Sequence, residues 1–170
     1  MSFSINTVLF VSPFTNTNTK LFKQFKKWGY DAVELLIEDP AHIDPAFVKK
    51  ELEKQGLLCG SVSAAMNPDR DLRGSLESQR NGVKYLCSLL DQMVTLNCPV
   101  LGGPIYSYVG RAEPVAPADY RKQWKSVVRN LKTVAKYAEQ RGKLVCLEPL
   151  NRFETDFIFY LFFIVAENSA

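Results

Sequence analysis

The sequence predicts an α/β protein built on a parallel sheet that is covered by helices. Short β-branched and aromatic runs alternate with longer segments whose apolar residues recur at three-and-four spacing. Glycine and proline punctuate the junctions between them. With 170 residues, 46% of them hydrophobic and 23% charged, the chain has the material for one buried core.

Ser4 to Val11 (SINTVLFV) stops at Ser12-Pro13 and reads as the first strand. Leu21, Phe22, Phe25 and Trp28 then fall at helical spacing within Thr17 to Trp28, and Gly29 stands where a C-cap belongs. Asp31 to Ile37 is the second strand. Asp44-Pro45 offers an N-cap and a first-turn proline to a helix with Phe47, Val48 and Leu52 on its apolar face, which Gly56 ends. Leu57 to Val62 is the third strand. A long helix runs from about Ser75 to Asn97 with Val83, Leu86, Leu90 and Val94 on one face. Cys98 to Leu101 is the fourth strand, stopped by Gly102-Gly103-Pro104. After a polar, proline-bearing loop, Pro117 to Gln140 carries Trp124, Val127, Leu131, Val134 and Ala138 at helical spacing. Gly142 caps it and Leu144 to Leu147 is the fifth strand. Parallel neighbours need crossovers, so βαβαβαβαβ implies helices packed outside the sheet.

A net charge of +3 is too dilute for a nucleic-acid or anionic-membrane face. The start has no basic n-region ahead of an apolar core, so no secretory signal is expected and the cytoplasm is the expected location. Cys59, Cys87, Cys98 and Cys146 form neither a CxxC pair nor a disulfide framework and are expected to stay reduced. Cys59, Cys98 and Cys146 sit in or beside apolar runs, as small buried hydrophobes do. His42, the sole histidine, reads as a loop residue. Lys20, Lys23, Lys26 and Lys27 read as a solvated helix face.

Two architectures fit, a doubly wound open sheet and a (β/α)8 barrel. Length alone favours the open sheet, because a barrel runs to about 250 residues. Yet no turn offers GxGxxG or GxxxxGK[ST], so the usual nucleotide ligand of an open sheet is missing. The segment that concentrates chemistry is Leu147-Glu148-Pro149-Leu150-Asn151-Arg152-Phe153-Glu154-Thr155, directly after the fifth strand. In either architecture ligands lie at the carboxyl ends of the strands, which is where Glu148 falls. A hard divalent cation favours such oxygens, and a solvated loop with Arg152 paired to Glu154 or Glu148 is the plain alternative.

The stretch Glu148 to Thr155 resembles the fifth-strand motif of the ketose 3-epimerases, the D-tagatose and D-psicose 3-epimerases of the xylose isomerase-like sugar phosphate isomerase/epimerase superfamily. The spacing of six between Glu148 and Glu154 matches. Gly29 to Leu35 resembles the join into the second strand, and Leu101 to Tyr108 the loop after the fourth. The resemblance spans residue 5 to about 158 and implies the N-terminal part of a TIM barrel over 1–158, truncated to about five strands and four helices.

It implies Glu148 as metal ligand and as the base that exchanges the C3 proton of a ketose, through a cis-enediolate. Glu154 is implied as a substrate contact. Glu34, at the end of the second strand, and Gly103 are candidates to line the same mouth, each with a structural alternative: a buried, satisfied glutamate and a tight turn. Asn151 and Arg152 are expected to orient the glutamates. The implied cofactor is Mn2+ or Co2+, with Mg2+ as an alternative, bound weakly or not at all by this part alone. The expected partner is a small sugar, with neither nucleic acid nor membrane.

The family's further strands carry the remaining ligands and the second catalytic glutamate, and no matching motif follows Ile158 here. Residues 159–170 form an off-family tail, and the apolar run Phe157 to Val165 is too short to span a bilayer. The abrupt change suggests an alternative transcript or gene-model error. Open sheet edges imply self-association or pairing with another chain. The resemblance therefore leaves two readings, an epimerase by descent that is inactive in this form, and a non-catalytic half barrel that binds a full-length paralogue.

Overall fold

The structure is a computed structural model and describes residues 2–158. Strands β1 (Ser4–Asn6), β2 (Ala32–Ile37), β3 (Leu58–Ala64), β4 (Val100–Gly102) and β5 (Leu144–Val145) alternate with helices α1 (Leu21–Lys27), α2 (Pro45–Lys54), α3 (Leu76–Leu96) and α4 (Pro117–Glu139). Every strand pair is parallel, and the strands lie in chain order from β1 to β5. Right-handed crossovers that always step the same way across a sheet put every helix on one face. That is the winding of a barrel segment; a doubly wound sheet reverses at a switch point and covers both faces. Strand order thus decides what length could not.

Val33, Leu35 and Ile37 of β2 are fully buried, while Glu34 and Leu36 between them are half-buried on the opposite face. The helix-covered face holds the core. On α3 the buried stripe is Tyr85, Leu86, Leu89, Leu90, Met93 and Leu96. This corrects the expected face: Leu86 and Leu90 belong to it, whereas Val94 is 52% exposed. Each fully buried side chain of this size contributes about 1.5–3 kcal/mol. Tyr85 also ties strand ends together, since its hydroxyl donates to the Ile37 carbonyl at 2.5 Å and accepts from the Ala65 N–H at 2.9 Å. Burial pushes its pKa up to about 12.

Local boundaries shift for identifiable reasons. The first strand ends at Asn6 instead of Val11, because the Asn6 side chain accepts the Val8 N–H at 2.9 Å and caps a 3-10 turn over Thr7–Leu9. The start of the first predicted helix is likewise a 3-10 turn, Asn16–Lys20, with the Thr15 N–H donating to Asn18 Oδ1. The second helix starts as predicted: Asp44 accepts from Ala46 and Phe47, and Pro45 is the first helical residue. Cys59 and Cys98 are buried, but Cys146 is exposed, contrary to expectation, because β5 is an edge with no strand beyond it among the described residues. His42 ends a 3-10 turn beside Asp39, at 3.9 Å.

Among the described residues no helix is long and apolar enough to cross a membrane. The tail 159–170 lies outside the described residues. Phe157, the first residue of the apolar run, is buried among Tyr106, Tyr120 and Trp124.

Candidate active site

The sheet carries its polar side chains on the face that the helices leave open. Register places Asn6 beside Glu34 and Glu34 beside Ser61. Pairing of β2 with β3 slips between Val33 and Glu34, which leaves Gly60 as the extra residue of a bulge. A Cβ there would sit 3.1 Å from the Ala32 Cβ, so a larger residue would push its neighbour aside by a few tenths of an ångström. Without the slip Glu34 would face Gly60, and it would have no hydroxyl donor.

Both oxygens of Glu34 are engaged. Asn6 Nδ2 donates to Oε1, and Ser61 Oγ donates to Oε2 at 2.7 Å. Asn6 Oδ1 is held by Val8, which points the amide nitrogen at the carboxylate. Glu34 is therefore fixed by its two neighbouring strands as a satisfied carboxylate within β2, third of its six residues, which corrects the expectation that it stands at the strand's end. Asn6 and Ser61 were not singled out from sequence. Their available signal was a polar residue within each β run, together with a glycine inside the third.

Glu148 is placed by backbone. Past β5 the ladder to the fourth strand continues, with Cys146 N–H donating to Leu101 O at 2.8 Å and Glu148 N–H to Gly103 O at 3.0 Å. The Glu148 side chain has no hydrogen-bond or ion-pair partner among the described residues. Although the residue is exposed, its carboxyl is held above the usual carboxylate range, first by incomplete solvation against the sheet and then by the charges of Glu34 and Glu154. The three candidate glutamates, taken from β2 and from both ends of one loop, thus share one field.

Glu154 is half-buried, with Asn151 Nδ2 donating to its Oε2 and its N–H donating to Asn151 O at 3.0 Å. Asn151 orients a glutamate as expected. Arg152 does not: it is exposed, lies 5.6 Å over the Phe153 ring and forms no ion pair with Glu148 or Glu154. Gly103 is buried at φ +113°, and its carbonyl accepts from both Glu148 and Ile105. Its demonstrated work is a turn that sets the height of Glu148.

No group of three or more His, Cys, Asp or Glu side chains among the described residues converges as a metal site. Glu148 has oxygens to offer and each Glu34 oxygen already accepts one hydrogen bond, whereas a divalent cation wants several oxygen ligands converging on one point. The described residues do not by themselves fit a resident metal.

A singly wound parallel sheet with two carboxylates on the segment beyond the carboxyl end of β5 defines a barrel-type α/β protein. The chain matches the model of the xylose isomerase-like TIM barrel over residues 22–166 and belongs to that family. Its relatives are sugar epimerases. The D-psicose 3-epimerase of Ruminiclostridium cellulolyticum is 35% identical over 94 residues, covering 52% of this chain and 28% of the relative. The L-ribulose 3-epimerase of Methylomonas sp. is 29% identical over 129 residues, covering 75% of this chain and 44% of the relative.

A solved D-allulose 3-epimerase from Methylomonas sp. in complex with D-allulose matches 93% of this chain and 54% of its own, with TM-score 0.82 and 22% identity. A D-psicose 3-epimerase with D-tagatose from Clostridium cellulolyticum H10 matches with TM-score 0.77, again over 93% of this chain. At 22% identity these structures speak to fold. The chain spans less than half the length of the curated relatives it matches.

Proposed function

We propose that this chain is a ketose 3-epimerase by descent, carrying one wall of a sugar site and one of the two proton-transfer groups. The observation that supports this most is the placement of Glu148. It is a carboxylate with no side-chain partner among the described residues, raised in pKa within the field of Glu34 and Glu154 and set on a fixed backbone. A base for carbon acids needs a pKa tuned toward the working pH and an orbital not already committed to a donor. In this reading Glu148 takes the C3 proton beside the C2 carbonyl of a ketose to leave a cis-enediolate. Glu154 receives a sugar hydroxyl, and Glu34 and Gly103 shape the mouth.

Inversion at C3 requires a second acid to return a proton on the opposite face. Glu34, held by Asn6 and Ser61, lies on the same sheet as Glu148 and does not supply an opposite face. The polypeptide alone is therefore proposed to bind a ketose without epimerising it. A divalent cation would need ligands beyond those described, with Glu148 as one of them. Incubating the purified chain with D-fructose and Mn2+ and separating the products chromatographically is expected to give no D-allulose. An NMR titration with D-fructose is expected to move the Gly103, Glu148 and Glu154 amides. Turnover would refute the proposed inactivity, and unmoved amides at saturating sugar would refute the sugar site.

Among the described residues β1 and β5 have no strand on their outer sides, which favours a second reading, a non-catalytic half barrel that pairs through them with another copy or a full-length paralogue. Leu144 on β5 is 64% exposed and Phe3 beside β1 58% exposed, as uncovered edges would be. Sedimentation of the chain, alone and mixed with a full-length homologue, separates the two readings. Only the second requires a stable oligomer. The cytoplasm remains the proposed location.

A further inference from the structure

Glu148 and Glu154 stand on one segment whose shape is not set by regular secondary structure. Its ends are tied together where the Leu150 N–H donates to Ile158 O at 3.1 Å. What holds it to the rest of the molecule is a buried polar network supplied by the two preceding strand-to-helix loops. Arg73, after β3, has a fully buried side chain, with Nη1 2.7 Å from Asp156 Oδ1 and Nε donating to Gln123 Oε1 at 3.0 Å. Its guanidinium lies 4.5 Å over the ring of Phe157. Asp71, 1% exposed, accepts the Arg73 N–H at 2.7 Å and, on its other oxygen, Arg111 Nη1 at 2.6 Å.

Arg111, after β4, then meets the segment itself by a parallel bridge to Thr155, while the neighbouring Gly110 N–H donates to the Glu154 carbonyl at 2.9 Å. The chain Arg111–Asp71–Arg73–Asp156 therefore grips the segment on both sides of Thr155.

A buried ion pair is a poor device for stability, because desolvation consumes most of its Coulombic gain and an apolar pair of equal volume does as well. What the network offers over an apolar contact is direction at its aligned donors, Arg73 Nε to Gln123 Oε1 and Arg111 Nη1 to Asp71 Oδ2, because a planar guanidinium donates only at fixed angles. Arg73 Nη1, Arg73 Nη2 and Asp156 Oδ1 all lack a hydrogen-bond partner among the described residues, so Arg73 meets Asp156 as a close ion pair without hydrogen-bond alignment and is held by that charge, by Gln123 and by the Phe157 face.

We propose that Arg73 and Arg111 are positioning residues, joined through Asp71, that set the Glu148–Ile158 segment and thereby the two glutamates at the strand mouth. This rests on the sugar site proposed above, and its test is separable from that reading. In the intact chain, amide hydrogen exchange is followed by NMR for wild type, Arg73→Met, Arg73→Lys and Asp156→Asn. Arg73→Met is expected to lower protection of the Gly110, Glu148 and Leu150 amides at least tenfold more than that of the β2 and α3 amides. Arg73→Lys is expected to recover part of the loss.

If Arg73→Met does not fold, Asp156→Asn makes the same comparison, because it removes the charge and keeps the volume. Protection unchanged within twofold at those three amides, or lowered equally across the whole chain, would overturn the proposal. With D-fructose added at a temperature where the variant is fully folded, Arg73→Met is expected to weaken the shifts at Glu154 at least fivefold. Full shifts in that variant would overturn the positioning role. If wild type shows no sugar shifts, the sugar reading fails, and the exchange comparison still decides whether the anchor exists.

Discussion

Gly103→Ala separates a turn requirement from a merely small residue, because Gly102 beside it is the built-in control. Gly103 has φ +113°, and a Cβ on it would sit 3.1 Å from the Ala64 carbonyl oxygen. Strain at such a backbone position is of order 1–3 kcal/mol. Alanine returns roughly 0.4–1 kcal/mol by restricting the unfolded chain. The net loss is then about 1–2 kcal/mol, with the contact to a backbone carbonyl adding to it. For a domain of this size that is a melting temperature lower by roughly 2–8 °C. Gly102 has an ordinary φ and nothing within 4 Å of its virtual Cβ, so Gly102→Ala is expected to lie within about 1 kcal/mol of wild type. Urea denaturation of both variants measures the difference. In the NMR spectrum only Gly103→Ala should displace the Glu148 amide, whose acceptor is the Gly103 carbonyl. Equal stabilities, or an unmoved Glu148 amide, would refute the reasoning.

Glu148→Gln is expected to raise the melting temperature at neutral pH. The native carboxyl binds its proton more tightly than the unfolded one, so its favourable contribution is complete below the ordinary value of 4.5 and is lost as pH rises through the native pKa. The advantage of the glutamine variant should therefore disappear when melting is repeated below pH 4.5. Asp71→Asn keeps the volume and removes the charge that holds Arg111, and is expected to cost about 1.5–3 kcal/mol in urea denaturation. A cost under about 0.5 kcal/mol would show the buried pair to be idle. In native-state alkylation followed by mass spectrometry, exposed Cys146 should label first. Buried Cys59 and Cys98 should label only as fast as the chain opens.

The alternation of strands and helices, the caps at Asp44 and Gly29, and the position of Glu148 after β5 were all legible along the chain, because each depends on residues within a few positions of one another. The pairing of Asn151 with Glu154 is local in the same way. The early end of β1 hid in a run of good strand formers, since one asparagine accepting a nearby N–H outweighed their propensity. The exposure of Val94 on α3 escaped the spacing rule because several residues fit an apolar stripe and only packing chooses among them.

Composition and periodicity thus determine that this is a parallel α/β chain, and local motif spacing determines which carboxylates gather at its mouth. Neither could choose between barrel-type and doubly wound packing, which turns on the order in which strands meet across the sheet. Nor could they couple Asn6 and Ser61 to Glu34, or Arg73 to Asp156, since these partners are separated by 28, 27 and 83 positions (156 − 73). Such contacts carry no periodic signature. They arise when sheet register and crossovers bring loops from successive strands to the same end, and only there does the Glu148–Glu154 segment acquire its fixed place.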